Sequence, residues 1–387
     1  MDNKIRILIV YDSILFRKIL IHHLSKDETL EIVGYVNNIY DIEEKIPILK
    51  PNVIILNIEI PKSNTEVKEF LKQIIKKYPT PIIIISSLNI SVFDALSVGV
   101  IDFVKKPDVT NYNNIKSFIN EITKKILIAS NSSIKPNNKI QYINKLSKHS
   151  ITNKKIITKN INNNINTNII NNKTVKIVNN NYLNNKNETF LNSPKYNSVI
   201  IAIGASTGGI EATLKILKDL PQNIPGIVIT QHMPQGFTKM YAERLDKICN
   251  ISVKEAKNGD KIIRGQALIA PGDKQMRVIK TGNYYIVSCF DGEKVSGHKP
   301  SVDVLFDSVA DTFKSNAIGI ILTGMGSDGA KGICKMKKNG AYTIGQDKDS
   351  CIVYGMPMVA YNLGGLCIQA SYEQIPNIII KELKNIK

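Results

Sequence analysis

SVIIAIGASTGGIEATLKIL, residues 198–217, decides the fold of the C-terminal half of the chain. An apolar run over 199–203 enters the glycine-rich turn Gly204-Ala205-Ser206-Thr207-Gly208-Gly209, and a helix-length segment follows. Strand, tight turn and helix in that order form the repeating unit of a parallel α/β sheet. The pattern recurs downstream. GIVITQH, QALIAPG, AIGIILTG and AYTIGQ are strand candidates, and GFTKMYAERLDKI, SVDVLFDSVADTF and GAKGICKMKKNG are helix candidates. In the second of these helices Val302, Leu305, Phe306, Val309 and Phe313 recur at three- and four-residue steps, which predicts a buried face.

A glycine turn of this kind can cradle a phosphate or hold up a nucleophile. The phosphate fingerprints fail: GxxxxGK[ST] needs a lysine where Ile210 stands, and GxGxxG needs a glycine where Ser206 stands. Gly204 to Gly208 does satisfy GxSxG, whose small flanking residues permit a sharp turn that projects the serine hydroxyl. A nucleophilic serine then needs a base and an orienting acid at comparable strand ends. The C-terminal half offers two histidines. His232 directly follows the apolar run GIVIT, whereas His298 lies in the loop SGHKPSVD, so the strand terminus favours His232 as general base. Asp328, in the turn of AIGIILTGMGSDGAKG, is the acid candidate. That position also suits a helix N-cap, and one carboxylate can serve both purposes. The order Ser206, His232, Asp328 differs from the Ser-Asp-His order of ordinary α/β-hydrolases and argues against that fold. Met233, Met325 and Met356 stand near these motifs, with core packing as their default role.

The first 125 residues repeat the alternation. IRILIVY, PNVIILN, PIIIISS and VIDFVKK are short continuous apolar runs that end in polar residues, separated by helix-length segments. Strands buried on both faces of a doubly wound parallel sheet read this way. In such sheets functional groups collect at the carboxyl ends of the strands. Here those ends carry Tyr11 and Asp12, then Asn57, Ser86 and Lys106.

Between the halves lies a segment of different composition. From residue 131 to 195 there are eleven lysines, one acid (Glu188), no arginine, and asparagine at about a third of positions. The stretch carries +10 of the chain's net charge of +18 and has no periodic apolar face. It is expected to be a flexible linker over 126–195, between a first domain at 1–125 and a second at 196–387. With the excess charge placed there, and no basic motif interleaved with aromatics, nucleic-acid binding is not expected. No run approaches the length needed to span a bilayer, and MDNKIRILIVYDS is too short an apolar run for a leader, so a cytoplasmic protein without membrane insertion is expected. Five cysteines without CxxC pairing predict a buried, reduced set and no zinc site.

ILIVYDS, VIILNIEIP, IIIISSL and DFVKKP resemble the signature stretches of two-component receiver domains. The resemblance implies a flavodoxin-like, doubly wound parallel sheet of five strands, with Asp12, Ser86, Phe103 and Lys106 at family positions. Two positions depart. Tyr11 replaces the first of two acids that hold a magnesium ion, and Asn57 replaces the phosphoacceptor aspartate. A carboxamide is a very poor nucleophile toward phosphorus, and two lost carboxylates remove most of the hard oxygen charge that Mg²⁺ requires. Phosphorylation at Asn57 is therefore not expected.

IGASTGG, QHMP, ALIAPGD, GHKPSVDVLF, LTGMGSDGAKG and YGMPMVA resemble, in order, the signatures of the chemotaxis protein-glutamate methylesterase (CheB) family, which joins a receiver to a doubly wound α/β esterase domain with a mostly parallel sheet. The resemblance implies Ser206 as nucleophile, His232 as base, Asp328 as orienting acid, and an oxyanion hole from the backbone N–H groups of Thr207 and Met325. It implies hydrolysis of glutamate γ-methyl esters and deamidation of glutamines on methyl-accepting chemoreceptors. Triad chemistry of this kind needs no cofactor and no metal in the esterase domain, and a monomer is expected. Docking to a chemotaxis histidine kinase is a further implied contact. Lys299 departs from the arginine common at that position, which bears on substrate contacts. Two rival readings are a phosphorylation-gated response regulator and a catalytically idle scaffold that docks on receptors. Asn57 counts against the first, and the intact Ser206, His232 and Asp328 count against the second.

Overall fold

The computed structural model describes residues 4–58, 64–87, 91–132 and 189–386. The N-terminal domain runs β1 (Ile5–Val10), α1 (Ile14–Leu24), β2 (Leu30–Val36), α2 (Ile42–Leu49), β3 (Val53–Asn57), α3 (Asn64–Lys77), β4 (Ile82–Ser86), α4 (Ser91–Ser97), β5 (Asp102–Lys105) and α5 (Tyr112–Ser130). Its five strands are parallel in the order β2-β1-β3-β4-β5. The apolar runs become β1, β3, β4 and β5. β3 and β4 are buried at every residue, because helices cover both faces. β2 lies at the sheet edge and buries only its two end residues fully, which is why it lacks a continuous apolar run. α5 extends five residues past the boundary drawn at 125, since Ile126 and Ala129 prolong the buried face of Phe118 and Ile122.

The C-terminal domain runs β6 (Ile200–Ala205), α6 (Gly209–Lys218), β7 (Gly226–Gln231), α7 (Phe237–Ile248), β8 (Ser252–Glu255), β9 (Gln266–Ile269), β10 (Gln275–Thr281), β11 (Tyr284–Phe290), α8 (Val302–Phe313), β12 (Ala317–Ile321), α9 (Ala330–Lys338), β13 (Tyr342–Gln346), α10 (Met356–Asn362), β14 (Ile368–Ala370) and α11 (Ile375–Asn385). Seven of these strands form one parallel sheet ordered β14-β13-β12-β6-β7-β9-β8. The chain winds outward from β6 in both directions, so the switch point lies between β6 and β12. In doubly wound sheets that is where a crevice opens at the carboxyl ends. The buried face expected of α8 is present: Val302, Leu305, Phe306, Val309 and Phe313 all lie in the core. The hairpin β10–β11 stands apart as a separate antiparallel pair. Leu191 and Tyr196, on two short 3₁₀ turns before β6, are buried too, so packed structure resumes before residue 196. The part of the expected linker at 133–188 lies outside the described residues. The five cysteines are free, but four are only half-buried and Cys367 is exposed, so the expected reduced set is not a buried one.

The two domains meet along α4 and β5 of the first and along α6, α7 and the turn at Thr207 of the second. Phe93 stacks on Tyr241 with centroids 5.7 Å apart, and Phe103 packs on Phe237 at 4.6 Å. One apolar cluster runs from Phe93 and Phe103 into Tyr241 and Phe237. A long tether alone cannot press two domains together. This seam supplies a contact of its own.

Candidate active site

Parallel register sets the positions of the key side chains. Gly204 pairs with Thr230 and Ala205 with Gln231, which brings Ser206 and His232 to the ends of neighbouring strands. The backbone then leaves the sheet: Ser206 N–H donates to Thr323 O at 3.0 Å, and Gly209 N–H donates to Ser206 O at 2.8 Å. Gly208 takes φ +80° where the turn enters α6, a conformation that favours glycine. Gln231, buried, donates from Nε2 to Ser206 O at 2.9 Å and so pins the same turn from the neighbouring strand.

Asp328 Oδ2 lies 2.7 Å from His232 Nε2, with the side chains 1% and 8% exposed. Nε2–H donates to the carboxylate, which leaves Nδ1 as the basic nitrogen. Among the described residues Nδ1 is buried and has no hydrogen-bond partner, so the Ser206 hydroxyl is not bonded to it in this state. Base contacts in resting sites are often long and tighten only with substrate. The structure thus joins His232 to Asp328 directly and sets Ser206 on the adjoining strand end.

Asp328 also caps a helix, though not its own. Oδ2 accepts from Val302 N at 2.7 Å, and Oδ1 accepts from Ser301 Oγ at 2.7 Å and Asp303 N at 3.1 Å, so the carboxylate closes the first turn of α8. In exchange, Asp303 at the start of α8 accepts Gly332 N of α9 at 2.8 Å. The two helices carry each other's caps, which ties the acid to the core rather than to a loose loop. Burial pushes the Asp328 carboxyl up, but the hydrogen bond and charge of His232 and the Ser301 and Val302 donors outweigh it and hold it below the usual carboxylate range.

Gly324 packs so closely that a Cβ there would fall 2.6 Å from Ser206 Cβ and 2.3 Å from Met356 Sδ. Absence of a side chain at Gly324 lets this backbone pass directly against Ser206. Thr207 O accepts from Thr323 Oγ1 at 2.9 Å. The side chain of Met325 is 44% exposed, whereas Met233 and Met356 are core residues.

Several contacts around these residues carried no signal in the sequence, among them that of His298, the histidine not favoured as base. His298 stacks flat on His232, centroids 3.7 Å apart and planes 6° from parallel. Its loop is held by Gln275 of β10, whose Nε2 donates to Glu293 O and His298 O and whose Oε1 accepts Ser301 N–H. Asp102 of the first domain accepts the Thr207 hydroxyl at Oδ2, while its Oδ1 takes Phe103 N–H at 2.7 Å and Lys125 Nζ at 3.0 Å. Burial opposes the charge on Lys125, yet the carboxylates of Asp102 and Glu121 raise its pKa above the ordinary value. A lone aspartate before an aromatic gives no sequence signal for a contact across domains.

At the carboxyl end of the first sheet, Asn57 Nδ2 donates to Asp12 Oδ1 at 3.0 Å, and Ser13 N–H donates to the same oxygen at 2.9 Å. Tyr11 is buried and stacks on Phe16 at 4.6 Å, with Lys106 Nζ 5.9 Å from its ring centroid. Ser86 Oγ donates to Ser87 O at 2.8 Å. A receiver's magnesium ion needs carboxylate oxygens, and these residues do not fit it: an aromatic ring fills one acid position, and an amide N–H points at the remaining carboxylate.

Fold and site together define a two-domain protein, a receiver coupled to an α/β catalytic domain whose strand ends gather serine, histidine and aspartate. Comparison with known proteins makes this specific. The CheB methylesterase family model matches residues 201–379 and that of the response regulator receiver domain matches 7–115. A protein-glutamate methylesterase/protein-glutamine glutaminase of Syntrophomonas wolfei is 42% identical over 384 residues, covering 99% of each chain. One from Sulfurimonas denitrificans is 42% identical over 381 residues, covering 97% of each. Among solved structures, the catalytic domain of Thermotoga maritima CheB methylesterase is 38% identical and covers 48% of this chain and 98% of that one, with a TM-score of 0.47. This chain belongs to the CheB methylesterase family, the protein-glutamate methylesterases/protein-glutamine glutaminases with a receiver domain.

Proposed function

We propose that this chain hydrolyses glutamate γ-methyl esters on cytoplasmic segments of chemoreceptors, and deamidates glutamines there, with Ser206, His232 and Asp328 as catalytic triad. The observation that carries the reading is the buried Nδ1 of His232, left basic by the Asp328 contact and lying at the strand end next to Ser206. Nδ1 takes the Ser206 proton as Oγ attacks the ester carbonyl. The oxyanion is met by the N–H groups of Thr207 and Met325, each worth about 3 kcal/mol in comparable sites. His232 returns the proton to the departing methoxide, which leaves as methanol, or to the amide nitrogen, which leaves as ammonia. Water, activated by the same nitrogen, then cleaves the acyl-enzyme. Release of labelled methanol from a methyl-esterified chemoreceptor by the purified full chain tests this. Failure to release it under any condition would end the proposal.

The receiver acts in this reading as a cover that does not respond to a phosphodonor. Full-length chain should release methanol at the same rate with and without acetyl phosphate and Mg²⁺; clear stimulation would contradict it. The Asp102–Thr207 contact supplies part of the cover, beside one oxyanion donor. Asp102→Ala should raise the rate about tenfold, because a hydrogen bond to a charged group is worth about 1.5–3 kcal/mol. Lys125 keeps Glu121 at 3.3 Å, so the substitution does not strand a buried charge. An unchanged initial rate would show that the seam does not restrain the site. Binding of a chemotaxis histidine kinase to the receiver, and action as a monomer, complete the proposal. No helix among the described residues is long and apolar enough to cross a membrane.

A further inference from the structure

We propose that His298 is a positioning residue for His232: by stacking face to face on its ring, His298 fixes the plane in which Nε2 meets Asp328 and Nδ1 remains available to Ser206. This deepens the triad reading above and rests on it. A single hydrogen bond at Nε2 leaves the imidazole free to swing about its Cβ–Cγ bond, which moves Nδ1 through an arc. A second flat ring at 3.7 Å and 6° removes that freedom on one face and keeps water from it. The stack is itself built. His298 O is held by Gln275 Nε2 at 3.2 Å, and three residues later Ser301 and the first turn of α8 are bonded to Asp328. One structural unit thus holds the histidine by its edge and by its face.

Stacking two imidazoles is compatible with catalysis only if the second stays uncharged, because His232 becomes a cation when it takes the serine proton. Burial, with the neighbouring His232 and the cations Lys124 and Lys294, pushes the His298 pKa down to about 4 against the opposing pull of Asp328. Those are the charged groups facing it, from α5, from the loop after β11 and from the loop before α9. Lys299, next in the chain, is paired with Asp273 at 3.5 Å. At neutral pH the stacked ring is therefore neutral and does not oppose the imidazolium.

The test measures methanol release from methyl-esterified chemoreceptor by the full chain for His298→Ala, His298→Phe and His298→Lys, with kcat, KM and the pH profile of kcat/KM. His298→Ala should lower kcat about tenfold or more with KM within about twofold, the signature of a displaced catalytic group. His298→Phe should recover most of that loss, since a flat ring restores the stack. His298→Lys should lower kcat and move the acid limb to lower pH, because a fixed cation disfavours the imidazolium beside it. A kcat for His298→Ala equal to that of the parent, or a His298→Phe as impaired as His298→Ala, would overturn the proposal. So would an acid limb unmoved in His298→Lys. Failure of the triad reading is separable: Ser206→Ala would then retain methanol release, whatever the His298 variants do.

Discussion

Ser206→Ala is expected to abolish methanol release from a methyl-esterified chemoreceptor, with kcat down by about 10⁶-fold, the scale on which a triad loses its nucleophile. The fold should hardly register the change. The native contacts of Ser206 run through its backbone, with its N–H on Thr323 O and its carbonyl accepting from Gly209 N and Gln231 Nε2. Alanine preserves all of them, so the melting temperature should stay within about 2 °C of the parent. Loss of activity with an intact melt separates a chemical role from a structural one. A variant that keeps more than about a tenth of the parent rate would remove Ser206 from the mechanism, since binding and oxyanion donors alone leave only a small residual rate.

Asp328→Asn is expected to lower kcat by about 10⁴-fold and to destabilise the chain at the same time. Four donors converge on the carboxylate: His232 Nε2, Ser301 Oγ, Val302 N and Asp303 N. An asparagine keeps the shape but supplies one oxygen and one NH₂. If the NH₂ faces His232, Nε2 must become the acceptor and the proton moves to Nδ1, the atom that should receive the serine proton. If it faces Ser301 and Asp303, two donors lose their partner at about 1–3 kcal/mol each. Either orientation harms, so both the rate and the melting temperature should fall. The sign with pH follows from the depressed carboxyl. Asp328 titrates below its unfolded value in the folded chain, so its stabilising share is present above about pH 4 and is lost as pH falls through the folded value. The gap in melting temperature between parent and Asp328→Asn should be wider at pH 7 than at pH 3 and shrink as the pH falls. A gap constant across that range would show that the charge on Asp328 contributes nothing to folding.

How much of this was readable depended on whether a feature was local. The runs that became β3, β4, β6 and β7 were legible because strands buried on both faces must be apolar at nearly every residue. β2, at the edge of its sheet, and the hairpin β10–β11, outside the large sheet, have mixed faces and carry no such signal. Within the site, Ser206 was marked by its glycine turn and His232 by following a strand. Asp328 looked like a cap for the helix it precedes, and the structure gives it that work on α8 instead, an exchange with Asp303 that no spacing rule reports.

The sequence by itself determined two doubly wound parallel domains, the strand ends on which the reactive groups stand, and the loss of the receiver's acids at Tyr11 and Asn57. Those follow from periodicity and from which atoms a side chain owns. The tertiary structure alone decided that His298 lies flat on His232, that Asp328 grips His232 by Nε2, and that Asp102 reaches Thr207 across the domain seam. Each joins residues at least 66 positions apart, and contacts of that range arise only when the strand ends and loops of the folded domains are brought together.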